Sequence, residues 1–99
     1  MGTKVITDGG LLWILGLKAE RAGHCVFAKN GSRAEIIGGY IYRNRGTKMP
    51  DGTDPEAFVC ENASMSVCGI AGDTNTREVS GSESKTGKFG DGLYVGRAK

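Results

Sequence analysis

Three stretches of the chain share one pattern of apolar and polar residues. In each, a short apolar piece ends at an Asp or Asn, and a second apolar piece containing a glycine follows. The Asp or Asn is Asp8, Asn30 or Asn62, and the second piece spans residues 14–17, 36–40 or 67–70. Apolar runs bounded by turn residues are typical of strands. We call these stretches the three repeats, and each predicts two strands joined by a turn.

The spacing of the repeats predicts a solenoid. Ile36 follows Ile14 by 22 residues, and Val67 follows Ile36 by 31 residues. The longer interval contains the polar stretch 43–56, which we interpret as a long loop inserted at one corner of a coil. No segment has sustained helical periodicity, and 17 glycines suit many tight turns. We therefore predict a single all-β domain over residues 1–99, a β-solenoid of three to four coils with little helix.

Strand alternation divides the repeats into an inward and an outward set of side chains. The inward set is Leu12, Ile14, Ala34, Ile36, Met65 and Val67, and the outward set is Trp13, Glu35 and Ser66. Trp13 in the outward set would be an exposed aromatic residue at an interface. The alternative is that its ring folds over the end of the core as a cap.

The remaining segments are more polar. Residues 18–23 form at most one helical turn, because the piece is too short for a stable helix. The polar segment 73–92 predicts irregular or mobile structure with one short strand near residues 77–80, and residues 93–95 predict a final strand.

The repeats resemble coils of the pectate-lyase-like right-handed parallel β-helix superfamily. The similar pieces are residues 12–20, 33–42 and 57–67, within a resemblance that covers about residues 4–72. The resemblance implies a short right-handed parallel β-helix. It also implies binding or cleavage of acidic or neutral polysaccharides along a groove on one sheet. Members usually have more coils, so this chain resembles a fragment of such a fold, and none of their catalytic positions is matched.

Charge is distributed unevenly along the chain. The net charge is +2, but residues 1–50 carry +5 and residues 51–99 carry −3. In a stack that follows sequence order, one end is basic and the other acidic, which favours contact between molecules. Unpaired strand edges at both ends favour the same outcome, so we predict a homo-oligomer. No basic run alternates with aromatic residues, and we predict no nucleic-acid partner.

Cysteine spacing and hydropathy bear on metal binding, on the state of the thiols and on cellular location. Cys25, Cys60 and Cys68 match no metal or redox motif and lie in apolar strands, so we predict buried, reduced thiols and no metal or cofactor. The apolar run 11–17 is short, contains a glycine and recurs later, which indicates a strand and not a signal peptide. No run approaches the ~20 apolar residues of a membrane span. We predict no membrane partner, and a cytoplasmic location is the default.

Two groups of side chains are candidates for chemistry. Asp51, Asp54 and Glu56 lie in the long loop, and a pair of carboxylates is what glycoside hydrolysis needs. The alternative is a solvated acidic loop, since the spacing matches no Ca²⁺ motif. His24 and Cys25 are adjacent, and adjacent residues of a strand point to opposite faces, so we predict structural roles for both.

Tyrosine and arginine residues form the second group. Tyr40, Tyr42 and Tyr94, with Arg43 and Arg45, would offer rings for stacking on sugars and guanidinium groups for oxyanions. The same residue types are also ordinary on sheet surfaces. The sequence thus predicts a non-catalytic interaction or carbohydrate-binding module that oligomerises. The alternative is a polysaccharide-active enzyme, a lyase or hydrolase, or a subunit of one, that uses the loop carboxylates.

Overall fold

The chain folds into strands connected by turns. The computed structural model describes residues 5–21, 23–43, 56–72, 75–88 and 93–97, and no helix occurs in these ranges. The nine strands are β1 (Val5–Asp8), β2 (Leu11–Arg21), β3 (Val26–Lys29), β4 (Arg33–Arg43), β5 (Phe58–Glu61), β6 (Ser64–Gly72), β7 (Asn75–Ser80), β8 (Glu83–Lys88) and β9 (Leu93–Arg97). The all-β prediction is confirmed.

The strands form two sheets, which the chain visits alternately from β1 to β7. One sheet has the order β1-β3-β5-β7-β8 and the other has the order β2-β4-β6-β9. Pairing is parallel from β1 to β7 in the first sheet and from β2 to β6 in the second. The last strand of each sheet, β8 or β9, pairs antiparallel with its neighbour. Each repeat therefore adds one strand to each sheet.

Equivalent residues of the three repeats stand side by side. Ile14 pairs with Ile36, and Ile36 pairs with Val67, as the repeat predicts. Ile36 and Val67 are fully buried, whereas Ile14 is half-buried because β2 lies at the edge of its sheet. The other members of the predicted inward set are also buried or half-buried, namely Leu12, Ala34 and Met65. Strand alternation in the repeats is thus confirmed.

The core takes side chains from both sheets. Its largest fully buried residues include Phe58 of β5, Val26 of β3, and Ile36 and Ile41 of β4. Cys25 and Cys60 are buried in this core and Cys68 is half-buried, and the three form no disulfide. Buried thiols of this kind pack as small apolar groups.

Asparagines form the corners between the short and the long strands. Asn30 and Asn62 have φ values of +55° and +49°, a left-handed conformation that Asn adopts more readily than most residues. The Asn30 Nδ2 atom donates a hydrogen bond of 2.7 Å to Asp8 Oδ1 in the preceding repeat. Asn62 Oδ1 accepts one of 2.9 Å from the Gly81 amide. Each corner asparagine therefore bonds to a turn in a neighbouring part of the stack, Asn30 to Asp8 and Asn62 to Gly81.

Glycines bend the long strands at one level of the second sheet. Gly16, Gly38 and Gly69 have φ values of +77°, +76° and +70°. The register on either side places the three in adjacent positions of β2, β4 and β6. Only glycine adopts this conformation without steric cost. Each long strand therefore has a first half before its glycine and a second half after it.

Two local predictions are wrong. Residues 18–21 are not a helical turn but the end of β2, because they pair with residues 40–43 of β4. The segment 73–92 is not irregular over its described part, since β7 and β8 form a hairpin across residues 75–88, although the short strand predicted near residues 77–80 is present within β7. The predicted final strand is present as β9. None of the described segments forms a helix long and apolar enough to cross a bilayer.

Candidate functional site

The solvent-facing side of the first half of the second sheet carries the most distinctive surface. We call it the outer face, and β2, β4, β6 and β9 contribute to it. Its outward residues align in three rows across the strands. The rows are Leu11–Arg33–Ser64, Trp13–Glu35–Ser66–Val95 and Leu15–Ile37–Cys68. Because strands are about 4.8 Å apart, each row places residues from distant parts of the chain side by side.

An open groove of about 800 Å³ runs across the first two rows. Outward residues line it, together with the residues between them in each strand. The outward residues are Leu11, Trp13, Arg33, Glu35, Ser64, Ser66 and Val95, and those between are Leu12, Ala34, Met65 and Gly96. The groove therefore combines an aromatic ring, one cationic group, one carboxylate and two hydroxyls.

Trp13 is the dominant side chain of the groove. It is 69% exposed, although it is the largest apolar residue of the chain. Its strand neighbour is Glu35 of β4. The prediction of an outward, exposed Trp13 is confirmed, and the alternative of a ring folded over the core is wrong. An indole ring in this position offers an apolar face for stacking and an N–H that donates a hydrogen bond.

Arg33 and Glu35 complement Trp13 with polar chemistry. Both are exposed on β4, two residues apart and thus on the same side of the strand. The guanidinium group of Arg33 is suited to two-point hydrogen bonding with a carboxylate or vicinal oxygens. The carboxylate of Glu35 accepts hydrogen bonds from hydroxyl groups. A hydroxyl-rich ligand with an apolar ring face would satisfy all three side chains.

The predicted tyrosine pair lies elsewhere on the same sheet. The rings of Tyr40 and Tyr42 are 5.3 Å apart between centroids at an angle of 58°, and both are exposed. They follow the bend at Gly38, so they belong to the second half of β4 and do not line the groove. Lys18 of β2 stands opposite Tyr40. The pair forms a separate aromatic surface.

The other predicted members of this surface are Arg43, Arg45 and Tyr94. Arg43 ends β4, and Arg45 lies outside the described residues. Tyr94 of β9 stands opposite Val67, in the first half of the sheet. The backbone of Tyr94 is therefore separated from the tyrosine pair by the bend in the sheet.

Glu56 is the one loop carboxylate within the described residues, and it lies away from the groove. Asp51 and Asp54 lie outside the described residues. Glu56 does not line the groove, and its carboxylate oxygens lie 3.9 Å from both His24 Nδ1 and Arg77 Nε. Its side chain is half-buried between these two groups. Glu56 is thus engaged by the protein itself and is not a solvated loop residue.

His24 anchors the end of the loop. Its Nδ1 atom lies 2.7 Å from the Glu56 carbonyl oxygen, which can only accept, so Nδ1 carries the proton and donates. Its ring also packs edge-on against Phe27, with centroids 5.8 Å apart. These contacts give His24 the structural role that the sequence predicts. His24 and Cys25 precede β3, which begins at Val26.

Several residues of the groove were not singled out by the sequence. No sequence motif surrounds the polar residues Arg33 and Ser64 or the apolar residue Val95. The alignment of the repeats is the one sequence pattern that points to the groove. When the repeats are aligned at their outward positions, Trp13, Glu35 and Ser66 fall into one row. Val95 carries no such signal, since its strand pairs antiparallel and lies outside the repeats.

Metal chemistry finds no support in the described residues, where no three His, Cys, Asp or Glu side chains converge. Comparisons with protein-family models, curated proteins and solved structures found no significant match.

Proposed function

We propose that the chain is a short right-handed parallel β-helix related to the pectate-lyase-like superfamily. Three features support this proposal: the parallel order of the strands in both sheets, the corner asparagines, and the side-by-side register of Ile14, Ile36 and Val67. In this architecture each repeat is one coil, and the outer face is one side of the stack.

The function that the geometry supports best is non-catalytic binding of a polysaccharide in the groove. The observation that carries it is the exposed Trp13 beside Glu35 and near Arg33, in a groove that crosses four strands. Sugar rings have an apolar face that stacks on indole and a rim of hydroxyls that hydrogen-bond to charged side chains. An extended chain of such rings matches an open groove better than a closed pocket does.

The described geometry favours binding over catalysis. Glycoside hydrolysis uses a pair of carboxyl groups on either side of the bond. Among the described residues that line the groove, Glu35 is the one carboxylate. The carboxylate of Glu56, the described member of the loop carboxylates, lies away from the groove, 3.9 Å from both His24 and Arg77. The proposal therefore assigns the groove to recognition.

Calorimetric titration with defined oligosaccharides tests the proposal. Oligogalacturonate is the acidic probe and a β-glucan oligosaccharide is the neutral probe. The emission of the only tryptophan follows the same titration, because Trp13 lies in the groove. We expect saturable binding with a change in emission. Arg33→Ala is expected to weaken oligogalacturonate binding about ten-fold, since hydrogen bonds to charged groups contribute ~1.5–3 kcal/mol.

Tyr40→Ala is the matched control. Tyr40 is exposed on the same strand as Arg33 but lies beyond the bend and outside the groove. Binding should survive this substitution. Loss of binding in Tyr40→Ala with retention in Arg33→Ala would move the site to the tyrosine pair, and failure of both oligosaccharides to bind would contradict the proposal. Release of reducing ends, abolished by Asp51→Ala or Asp54→Ala, would support the enzyme instead.

We also propose that the module is a homo-oligomer whose contact involves the first coil. The proposal is supported by the position of β1 and β2, which are the end strands of their sheets. Side chains packed against the core on this side, among them Val5, Leu12 and Ile14, are only partly buried.

A further inference from the structure

The first half of β2 is apolar on both of its faces. We call residues 11–15 the edge segment. Its outward side chains, Leu11, Trp13 and Leu15, are 83%, 69% and 65% exposed. Its inward side chains, Leu12 and Ile14, pack against the core and remain half-buried. Such exposure is costly for a strand on which every side chain is apolar.

The edge segment also has an unpaired backbone edge. Within the described residues, β2 pairs with β4 on one side, and no strand pairs with it on the other. A hydrophobic strand with free N–H and C=O groups is a template for another strand, and native proteins cover such edges. The bend at Gly16 ends the straight part of the edge, so the region available for pairing is the edge segment itself.

The sequence of the edge segment is self-complementary. Antiparallel pairing across a two-fold axis at Trp13 would set Trp13 against its own copy and Leu11 against Leu15. On the inward side it would set Leu12 against Ile14. All of these pairs are apolar, and the segment carries no charge. Residues 1–50 carry a net positive charge, but none of it lies in the edge segment. The pairing therefore sets no like charges directly opposite each other.

We propose that two copies of the chain associate through antiparallel pairing of their edge segments around a two-fold axis at Trp13. The two copies of the second sheet then become continuous, and the core side chains Leu12 and Ile14 gain apolar neighbours. Both grooves open beside Trp13, so they meet at the axis as one groove of double length. The dimer gives the proposed homo-oligomer a defined geometry, and the double groove rests in addition on the proposed binding function.

Sedimentation velocity over a wide range of protein concentration tests the dimer in the absence of any sugar. We expect a species with twice the 10.4 kDa mass of one chain, which dissociates on dilution with a change in Trp13 emission. A mass of one chain at every concentration, with constant emission, would overturn the proposal.

Charge substitution at the axis tests the two-fold geometry. Trp13→Lys and Trp13→Glu each set two like charges opposite one another, so each variant alone should sediment as a monomer. An equimolar mixture should restore the dimer, because opposite charges then meet at the axis. Thermal unfolding of each variant verifies that it is folded. A mixture of folded variants that remains monomeric would contradict pairing at Trp13.

Val95→Lys is the matched control for the arrangement. Val95 is an exposed apolar residue of the same groove but lies on β9, at the opposite edge of the sheet. The dimer should survive this substitution, whereas head-to-tail contact between β2 and β9 would be disrupted by it. Arg33→Ala should weaken oligogalacturonate binding about ten-fold and leave the mass unchanged, so failure of the dimer and failure of the binding function are distinguishable.

Discussion

At the scale of single residues, glycine and asparagine determine where the backbone changes direction. Gly38 has nothing within 4 Å of the position that a Cβ would occupy, but its φ is +76°. Gly39 has an ordinary φ, yet a Cβ there would overlap the carbonyl oxygen of Leu17 in β2. Adjacent glycines thus serve different purposes, since one permits the bend and the other permits close approach of two strands.

Substituting alanine at each position separates these purposes. Gly38→Ala should lower the free energy of unfolding by about 1–2 kcal/mol, the cost of a left-handed conformation. Gly39→Ala should lower it by roughly 3 kcal/mol, because the backbones of β2 and β4 must move apart. Gly10→Ala, with an ordinary φ and its nearest atom 3.9 Å away, is the control. Urea denaturation measures all three, and equal stability of Gly39→Ala and Gly10→Ala would contradict the packing.

Residue types at the corners could be predicted from the sequence because their cause is local. Asn30 and Asn62 precede strands at equivalent places in the repeats, and Asn tolerates positive φ. The partner of each side chain could not be predicted. Asn62 bonds to the Gly81 amide, which belongs to the hairpin that follows the last repeat.

At the scale of elements, strand alternation decides which residues stabilise the fold and which form the surface. Ile36 and Ile37 are adjacent in β4 and have the same side chain, but Ile36 is fully buried and Ile37 is 39% exposed. This pair offers a direct comparison of the two faces of one strand.

Truncating each isoleucine should give very different results. Ile36→Ala should lower the free energy of unfolding by about 2–5 kcal/mol, because it removes buried methyl groups and leaves a cavity. Ile37→Ala should change it by less than about 1 kcal/mol, since the side chain faces solvent in the monomer. Chemical denaturation at low protein concentration measures both, and similar losses would show that the register of β4 is wrong.

The hairpin of β7 and β8 shows why other elements escape sequence analysis. Residues 81–87 are exposed, and β7 has one buried residue, Thr76. Neither strand has the apolar alternation that identifies a half-buried strand. Their structure comes from pairing with each other and from the pairing of β7 with β5. Such long-range causes leave no local pattern, and the same is true of Val95 in the groove.

At the scale of the whole molecule, the two ends of the strand stack are different. The last parallel strands, β6 and β7, are each followed by an antiparallel strand, β9 and β8. The first strands, β1 and β2, have no such neighbour among the described residues. Unpaired strand edges of a sheet are usually covered in native proteins. The proposed self-association therefore uses the first repeat, and the groove crosses the strands that continue from it.

The groove depends on the three repeats lying side by side in register, because it exists only if distant residues share a row. Methyl-labelled NMR spectroscopy tests it most directly, through nuclear Overhauser effects between the methyl groups of Ile14, Ile36 and Val67. Since neighbouring strands are about 4.8 Å apart, we expect cross-peaks for Ile14–Ile36 and Ile36–Val67, and none for Ile14–Val67. Absence of the first two cross-peaks, or a direct Ile14–Val67 contact, would contradict the register and the groove built on it.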